Sequence, residues 1–278
     1  MEKKKIIGII GYGNMGSAIA KGIKKTYPVT VFDKDTGKTA EAKDVRIAAA
    51  IEDAVRVVDA IILAVKPQDF DSLLDEIKPH AQGRLLVSIA AGIPTGYIEK
   101  RSGAVRVIRV MPNIGATIGE AESSLCKGRT ASAQDLAFVR GLFDLLGKTW
   151  EMEERLIDAA TAIAGSGPAY IFYDLESRHI DPLQVPKEIE QEYISRLKAA
   201  AEEVGFDAVT AQQLASSTTS SSLHLCAATG LSPAALRALV TSKGGTTAAA
   251  LEQLAQGRSW TEAAHAAKRR AEELSKKE

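Results

Sequence analysis

Two cysteines in 278 residues, Cys126 and Cys226, make neither a disulfide framework nor a metal-binding spacing. They read as reduced thiols in a reducing compartment, the cytoplasm. Four scattered histidines supply no cluster, so no metal is expected. Charge of one sign is also missing, since 35 Lys and Arg face 35 Asp and Glu. A nucleic-acid binder carries a basic surplus, and that class is set aside. No apolar run approaches the ~20 residues of a membrane span, so no membrane partner is expected. The basic start Met1–Lys5 is like a signal peptide only briefly. Gly11, Tyr12, Gly13 and Asn14 interrupt the apolar stretch, and no small-residue cleavage site follows.

The chain does contain enough apolar residues, 45% of the total, for a sizeable core, and its length fits two domains. The first half alternates short apolar runs with helical patterns. Ile6–Ile10, Val29–Phe32, Asp59–Val65, Leu85–Ile89 and Val105–Val110 read as strands, and Asn14–Lys25 as a helix. That alternation predicts βαβ units, a parallel sheet and helices on both faces. A further strand pair, Ser124–Lys127 and Lys148–Met152, flanks the helical stretch Ala133–Leu146. Beyond Glu153 the strand signal ends, and Leu156–Leu274 is Ala-rich and helical. The fold expected is α/β: an N-terminal doubly wound Rossmann-type sheet over residues 1–155 and an all-helical domain over 156–278. Asp174–Tyr193 is charged and holds Pro182 and Pro186, so a helix running from Pro168 should stop or bend there. Lys268–Glu278 reads as a solvated helix end.

Gly11-Tyr12-Gly13-Asn14-Met15-Gly16 fits G-x-G-x-x-G between a strand and a helix, the context of a dinucleotide fingerprint. The first glycine permits the tight turn, the second admits a pyrophosphate and the third lets helix and strand pack. Free N–H groups at the helix start suit the phosphates. Asp33 lies 20 residues after Gly13, where an acid meets the ribose 2′-hydroxyl and favours NAD(H). Lys34 and Lys38 follow and suit a 2′-phosphate, so NADPH stays open. Ala64-Val65-Lys66-Pro67-Gln68 and Ser88-Ile89-Ala90-Ala91-Gly92 close two strands at their carboxyl ends, where ligands bind in open α/β sheets; ordinary packing explains them equally. Gly165-Ser166-Gly167-Pro168-Ala169-Tyr170 reads either as a kink or as one helix ending and another starting. Thr241–Thr247 places two glycines, then hydroxyls, before a helix: an anion pocket, or a capped turn. His224 receives no role.

Together, in this order and spacing, these segments resemble the pyrroline-5-carboxylate reductase family over nearly the whole chain. The matching pieces are Ile10–Gly16, Ala64–Gln68, Val87–Ile93, Arg109–Asn113, Gly165–Tyr170 and Thr241–Thr247, the last being the most specific. The resemblance implies reduction of L-1-pyrroline-5-carboxylate to L-proline by NAD(P)H. It implies a cofactor site formed by Ile10–Gly16, Asp33, Lys34, Ala64–Pro67, Ala90 and Ala91. The substrate would lie on Ser242, Gly244, Gly245, Thr246 and Thr247. Gly245 and Thr246 would hold its carboxylate through N–H groups, and Thr247 would place its hydroxyl near the imine nitrogen. It further implies interlocked helical domains, a site that depends on a homodimer, and rings of dimers. An imine is already electrophilic, so holding donor and acceptor together can supply several kcal/mol without a strong side-chain acid. Against that pattern, Asp174–Tyr193 is an insertion of 20 residues in the part assigned to the dimer interface. Two alternatives remain. A β-hydroxyacid dehydrogenase would need a catalytic lysine on a Gly-rich helix, and neither Lys198 nor Lys243 sits in such a motif. A non-catalytic dinucleotide sensor would bind cofactor without turnover.

Overall fold

The computed structural model describes residues 4–103 and 105–275. The first three residues of the basic start and the last three of the Lys/Glu-rich tail lie outside them. In chain order the helices are α1 (Asn14–Ile23), α2 (Thr36–Thr39), α3 (Ile51–Val55), α4 (Phe70–Ile77), α5 (Thr95–Ser102) and α6 (Ala133–Phe143). They continue as α7 (Ile157–Ala160), α8 (Gly167–Ser177), α9 (Lys187–Glu203), α10 (Ala208–Thr229), α11 (Pro233–Val240), α12 (Thr246–Ala255) and α13 (Trp260–Ser275). The strands are β1 (Ile7–Ile10), β2 (Val29–Phe32), β3 (Arg46–Ile47), β4 (Ala60–Leu63), β5 (Leu85–Ser88), β6 (Arg106–Met111), β7 (Ala121–Lys127) and β8 (Gly147–Glu151). They form one sheet in the order β3-β2-β1-β4-β5-β6-β7-β8.

Strand side chains alternate faces, and here both faces are buried. Ile7 and Ile9 of β1, with Ile62 of β4 and Val87 of β5, pack under α1 and α6. Ile10, Ile61 and Leu86 point the other way into Val55, Leu74 and Ile98 of α3, α4 and α5. Burial on both faces is why these strands read as unbroken apolar runs rather than as alternation. The strand order reverses at β1, which places a crevice beyond the carboxyl ends of β1 and β4.

The sheet is not parallel throughout: β6 and β7 pair antiparallel, with Ile108 opposite Lys127. The connection between them holds only the 3₁₀ turn Ile114–Thr117 and a few flanking residues. A parallel crossover needs a dozen or more. The tail reading is also corrected as far as Ser275. Lys268 donates to the Val204 carbonyl at 3.0 Å, Arg270 to the Gly244 carbonyl at 2.8 Å and Ser275 to Asp158 at 3.1 Å. The apolar stripe Ala263, Ala264, Ala267 and Ala271 seats α13 on the helical core, and its last turn is held rather than solvated.

The proline-bearing segment breaks the helix as expected. α8 ends at Ser177 and α9 starts after Pro186. α10 carries its Ser and Thr side chains without interruption. Ser222 hydrogen-bonds back to the Thr218 carbonyl at 2.6 Å, and Ser217 turns outward to the Glu122 carboxylate of β7. Among the described residues no single helix is long and apolar enough to cross a membrane.

One buried cation joins the two halves. Arg109 on β6 is 2% exposed. It donates to Asp158 at 2.8 Å and lies 3.7 Å from Glu154, which itself accepts from the N–H and hydroxyl of Thr95 at 2.7 Å each. Removing the cation strands two partly buried carboxylates; fully buried pairs broken this way cost about 3–5 kcal/mol. Solvent still reaches both acids, so Arg109→Leu is expected to lower unfolding free energy by about 2–3 kcal/mol in urea titration. A loss below about 0.5 kcal/mol would show that the pair is immaterial.

Candidate active site

A cleft of about 1030 Å³ opens where the sheet crevice meets the helical half. Asn14 and Met15 of the fingerprint, Lys66 and Pro67 after β4, and Ala91 after β5 line one side. Ser242, Gly244, Gly245, Thr246 and Thr247 line the other, with Lys243, Arg270 and Leu274. Tyr12 and Gly13 face an adjoining hollow of about 680 Å³ that runs past Lys38 and Lys43. Ile10, Gly11, Gly16, Ala64, Val65 and Ala90 stand behind the walls: Ile10 and Ala90 are core residues. Asp33 and Lys34 lie at the carboxyl end of β2, off the main cleft.

The three glycines of the fingerprint divide by what a side chain would meet. A Cβ on Gly16 would sit 2.0 Å from the Gly11 carbonyl oxygen, and one on Gly11 2.5 Å from the Ala64 carbonyl oxygen. Those two positions are glycine for the fold. Gly13 has an extended backbone that any residue adopts, and its Cβ would meet nothing within 4 Å. Only something outside the chain can require a glycine there. α1 opens at Gly13 with no side-chain cap, so its first N–H groups are free. An open cradle over bare N–H groups fits a diphosphate.

Asp33 is 8% exposed at its side chain. It accepts from the Tyr12 N–H at 2.7 Å and the Asp35 N–H at 2.9 Å, with Lys38 at 3.4 Å. Burial works to raise its carboxyl pKa. The two N–H donors and Lys38 outweigh burial and hold it below the usual carboxylate range. Asp33 therefore braces the fingerprint turn.

The second helix start is built the same way. Gly245 caps α12 without a side-chain hydrogen bond, so the capped-turn reading of Thr241–Thr247 does not hold. The loop turns at Gly244 with φ +67°, and the Gly245 N–H closes onto the Ser242 carbonyl at 3.0 Å. That corrects the expected carboxylate donors: Gly245 is already committed, and the open N–H groups start at Thr246. The two helix N-termini, α1 and α12, thus face one cleft, each suited to an anion.

Ser166 is the residue that sequence reasoning passed over. Its hydroxyl, fully buried, accepts from Thr247 at 3.2 Å and lies 3.2 Å from the Thr246 hydroxyl. Thr161–Gly165 winds as a π-helix, with the Ser166 N–H bonded back to Thr161. The Ala162 carbonyl then accepts the Tyr170 hydroxyl at 2.8 Å, and the Ala164 carbonyl accepts the Asn113 amide at 3.0 Å. Single π-turns inside helices gather at functional sites. The signal was present in Gly165–Tyr170, whose glycines and proline mark the place where one helix gives way to the next. His224 bonds Glu120 at 2.6 Å and lies off the cleft lining.

A protein-family model described as NADP oxidoreductase coenzyme F420-dependent matches residues 6–92. Another, described as pyrroline-5-carboxylate reductase dimerisation, matches 191–274. A pyrroline-5-carboxylate reductase of Methanosarcina acetivorans is 34% identical, with 100% of both chains covered. The chain belongs to the pyrroline-5-carboxylate reductase family. Pyrroline-5-carboxylate reductase 2 of Bacillus subtilis is 33% identical over 91% of this chain and 88% of its own. The Plasmodium falciparum pyrroline carboxylate reductase solved with NADP bound aligns over 99% of both chains at 26% identity and a TM-score of 0.65. Membership in this reductase family makes the chain an NAD(P)H-dependent oxidoreductase and sets aside the β-hydroxyacid dehydrogenase and sensor readings.

Fold and binding make separate demands on these glycines. Gly13→Val is expected to leave the melting temperature within about 2 °C, because no protein atom is met. It should abolish cofactor binding by calorimetry. Gly16→Ala should instead lower stability by more than about 2 kcal/mol. Unchanged cofactor affinity in Gly13→Val would show that the cradle holds no diphosphate.

Proposed function

We propose that this chain reduces L-1-pyrroline-5-carboxylate to L-proline, with the dinucleotide on α1 and the imino acid on α12. The observation that supports it most directly is the pair of uncapped helix starts facing one cleft. Residues 1–155 are the dinucleotide unit in this reading, and 156–278 the substrate and dimerisation unit. The segment that matches the dimerisation model pairs two copies of the chain. Cys126 and Cys226 are buried and unpaired, with thiol pKa values pushed by burial up to about 12 and about 11, as suits the reducing cytoplasm.

Bound NAD(P)H supplies a hydride to the ring carbon of the C=N bond. The chain's own residues do the rest. Gly13, Asn14 and Met15 seat the diphosphate. Lys66, Pro67 and Ala91 form the wall toward the sheet, and the small Ala91 side chain leaves room for a flat ring. The N–H groups of Thr246 and Thr247 hold the substrate carboxylate at the positive end of α12. Hydrogen bonds to a charged group contribute about 1.5–3 kcal/mol each, enough to set the ring's orientation. Thr247 presents its hydroxyl to the ring nitrogen. Ser166 keeps that hydroxyl in place and, because hydroxyl protons rotate, passes a proton taken from solvent at the cleft through Thr246 and Ser166 to Thr247 and on to the ring nitrogen. No residue needs a shifted pKa, since the imine is the electrophile and the enzyme's part is mainly orientation.

Lys38 rests on Asp33 at 3.4 Å and lines the hollow beside the fingerprint, where a 2′-phosphate would lie. Lys38→Ala is expected to raise the KM for NADPH about tenfold, a cost of about 1.4 kcal/mol, and to leave NADH within about twofold. Equal effects on both cofactors would remove Lys38 from phosphate recognition. Thr247→Ala and Ser166→Ala should each lower kcat by about 10- to 100-fold, with cofactor affinity unchanged. The measurement is steady-state turnover of pyrroline-5-carboxylate with each reduced cofactor. Absence of turnover by the unaltered enzyme would overturn the proposed function.

A further inference from the structure

The resemblance to the family led to a site that needs two chains, yet both walls of the cleft here come from one. The stretch between α8 and α9 is what brings them together. Past Ser177 the chain leaves the helix at His179, whose φ is +53°, and turns with the Gln184 N–H on the Asp181 carbonyl at 3.0 Å. Pro186 then opens α9. α9 does not run onward; it crosses back over α8. Asp174, 8% exposed on α8, accepts from Tyr193 at 3.0 Å and Arg196 at 2.9 Å on α9 and from Arg178 at 3.1 Å. Tyr193 stacks on Trp260 of α13 at 5.5 Å. A Cβ on Gly167, at the start of α8, would lie 3.2 Å from Leu197 of α9, so the return reaches the beginning of the helix it left.

Without that turn, a straight helix from Gly167 to Glu203 would run about 55 Å and carry everything after it away from the chain's own sheet. With it, α10 lies against β7 and β8, where Lys148 meets Ser217 at 3.0 Å. Gly92 after β5 packs so closely on α13 that an added Cβ would stand 2.5 Å from the Cβ of Leu274. The 242–247 loop thereby arrives at Asn14 and Lys66 of the same chain.

We propose that each active site is complete within one chain, and that the proline-bearing turn at 178–186, clamped by Asp174, makes it so. This rests on the proposed reaction at that cleft. Two copies associate through their helices, but they share no site.

Two measurements test it. The first co-expresses Gly13→Val and Thr247→Ala chains under different tags and isolates any doubly tagged assembly. A site within one chain gives the mean of the two parent activities. A site shared between chains restores one intact site per pair, about half the native rate, and overturns the proposal. If the tags never co-purify and the unaltered enzyme turns over as a single chain, the proposal stands. The second measurement needs no activity. Glu120 and His224 are partly exposed and 2.6 Å apart, one beside the sheet and one on α10. In Glu120→Cys/His224→Cys treated with a short bis-maleimide, cross-linked protein should run at single-chain mass on a denaturing gel. Cross-linked dimers would overturn the proposal. Failure of the unaltered enzyme to reduce pyrroline-5-carboxylate, with single-chain cross-linking intact, would count against the reaction and not against the assembly.

Discussion

Pro168 has no N–H, so the Ala164 carbonyl cannot be satisfied within its own helix. The Asn113 amide, at the end of the strand that carries Arg109, takes the vacant position at 3.0 Å. The other end of the same side chain accepts from the N–H groups of Gly115 at 3.1 Å and Glu122 at 3.0 Å. One buried side chain therefore satisfies three backbone groups from the two halves, each of which would cost about 1–3 kcal/mol if left bare. It fixes the π-turn, and the π-turn puts the Ser166 hydroxyl on Thr246 and Thr247. The position of the substrate loop relative to the sheet follows from that chain of contacts.

The chemistry then asks little of any single side chain. Two helix starts left uncapped face each other across a cleft, and two anionic groups of the reactants suit them. The charged side chains that line the cleft, Lys66, Lys243 and Arg270, are all basic, which favours anionic reactants. Catalysis by placement explains a cleft lined by no histidine. It also explains why the most demanding residues are glycines. At Gly11 and Gly16 the demand comes from neighbouring carbonyls. At Gly13 no protein atom makes it, and we assign it to the diphosphate.

Much of this was legible in the sequence. Strands buried on both faces appear as apolar runs, and β1, β2, β4 and β5 stand within two residues of where those runs placed them at either end. The fingerprint is local, so its glycines and Asp33 were readable from spacing alone. What was not legible depends on contacts between distant segments. β3 is two exposed residues with no apolar signature. The reversal at β7 follows from a short connection rather than from composition. The Gly245 N–H is lost to a turn that only coordinates reveal. Ser166 gains its place from a π-turn held at Ala164 by Asn113, which lies 51 residues before Ala164 in the chain. The tail read as solvated because Lys and Glu fill its sequence; Glu272 and Glu273 are exposed, while Ala263, Ala267 and Ala271 on the opposite stripe anchor it.

The account depends on a dinucleotide at α1 and a cyclic imino acid at α12 meeting within one cleft. A crystal structure of the ternary complex with oxidised cofactor and L-proline tests that most directly. The expected complex has the diphosphate over Gly13, the proline carboxylate on the N–H groups of Thr246 and Thr247, and the ring nitrogen within hydrogen-bond distance of the Thr247 hydroxyl. Proline bound elsewhere, or a cofactor whose nicotinamide end points away from the 242–247 loop, would contradict it.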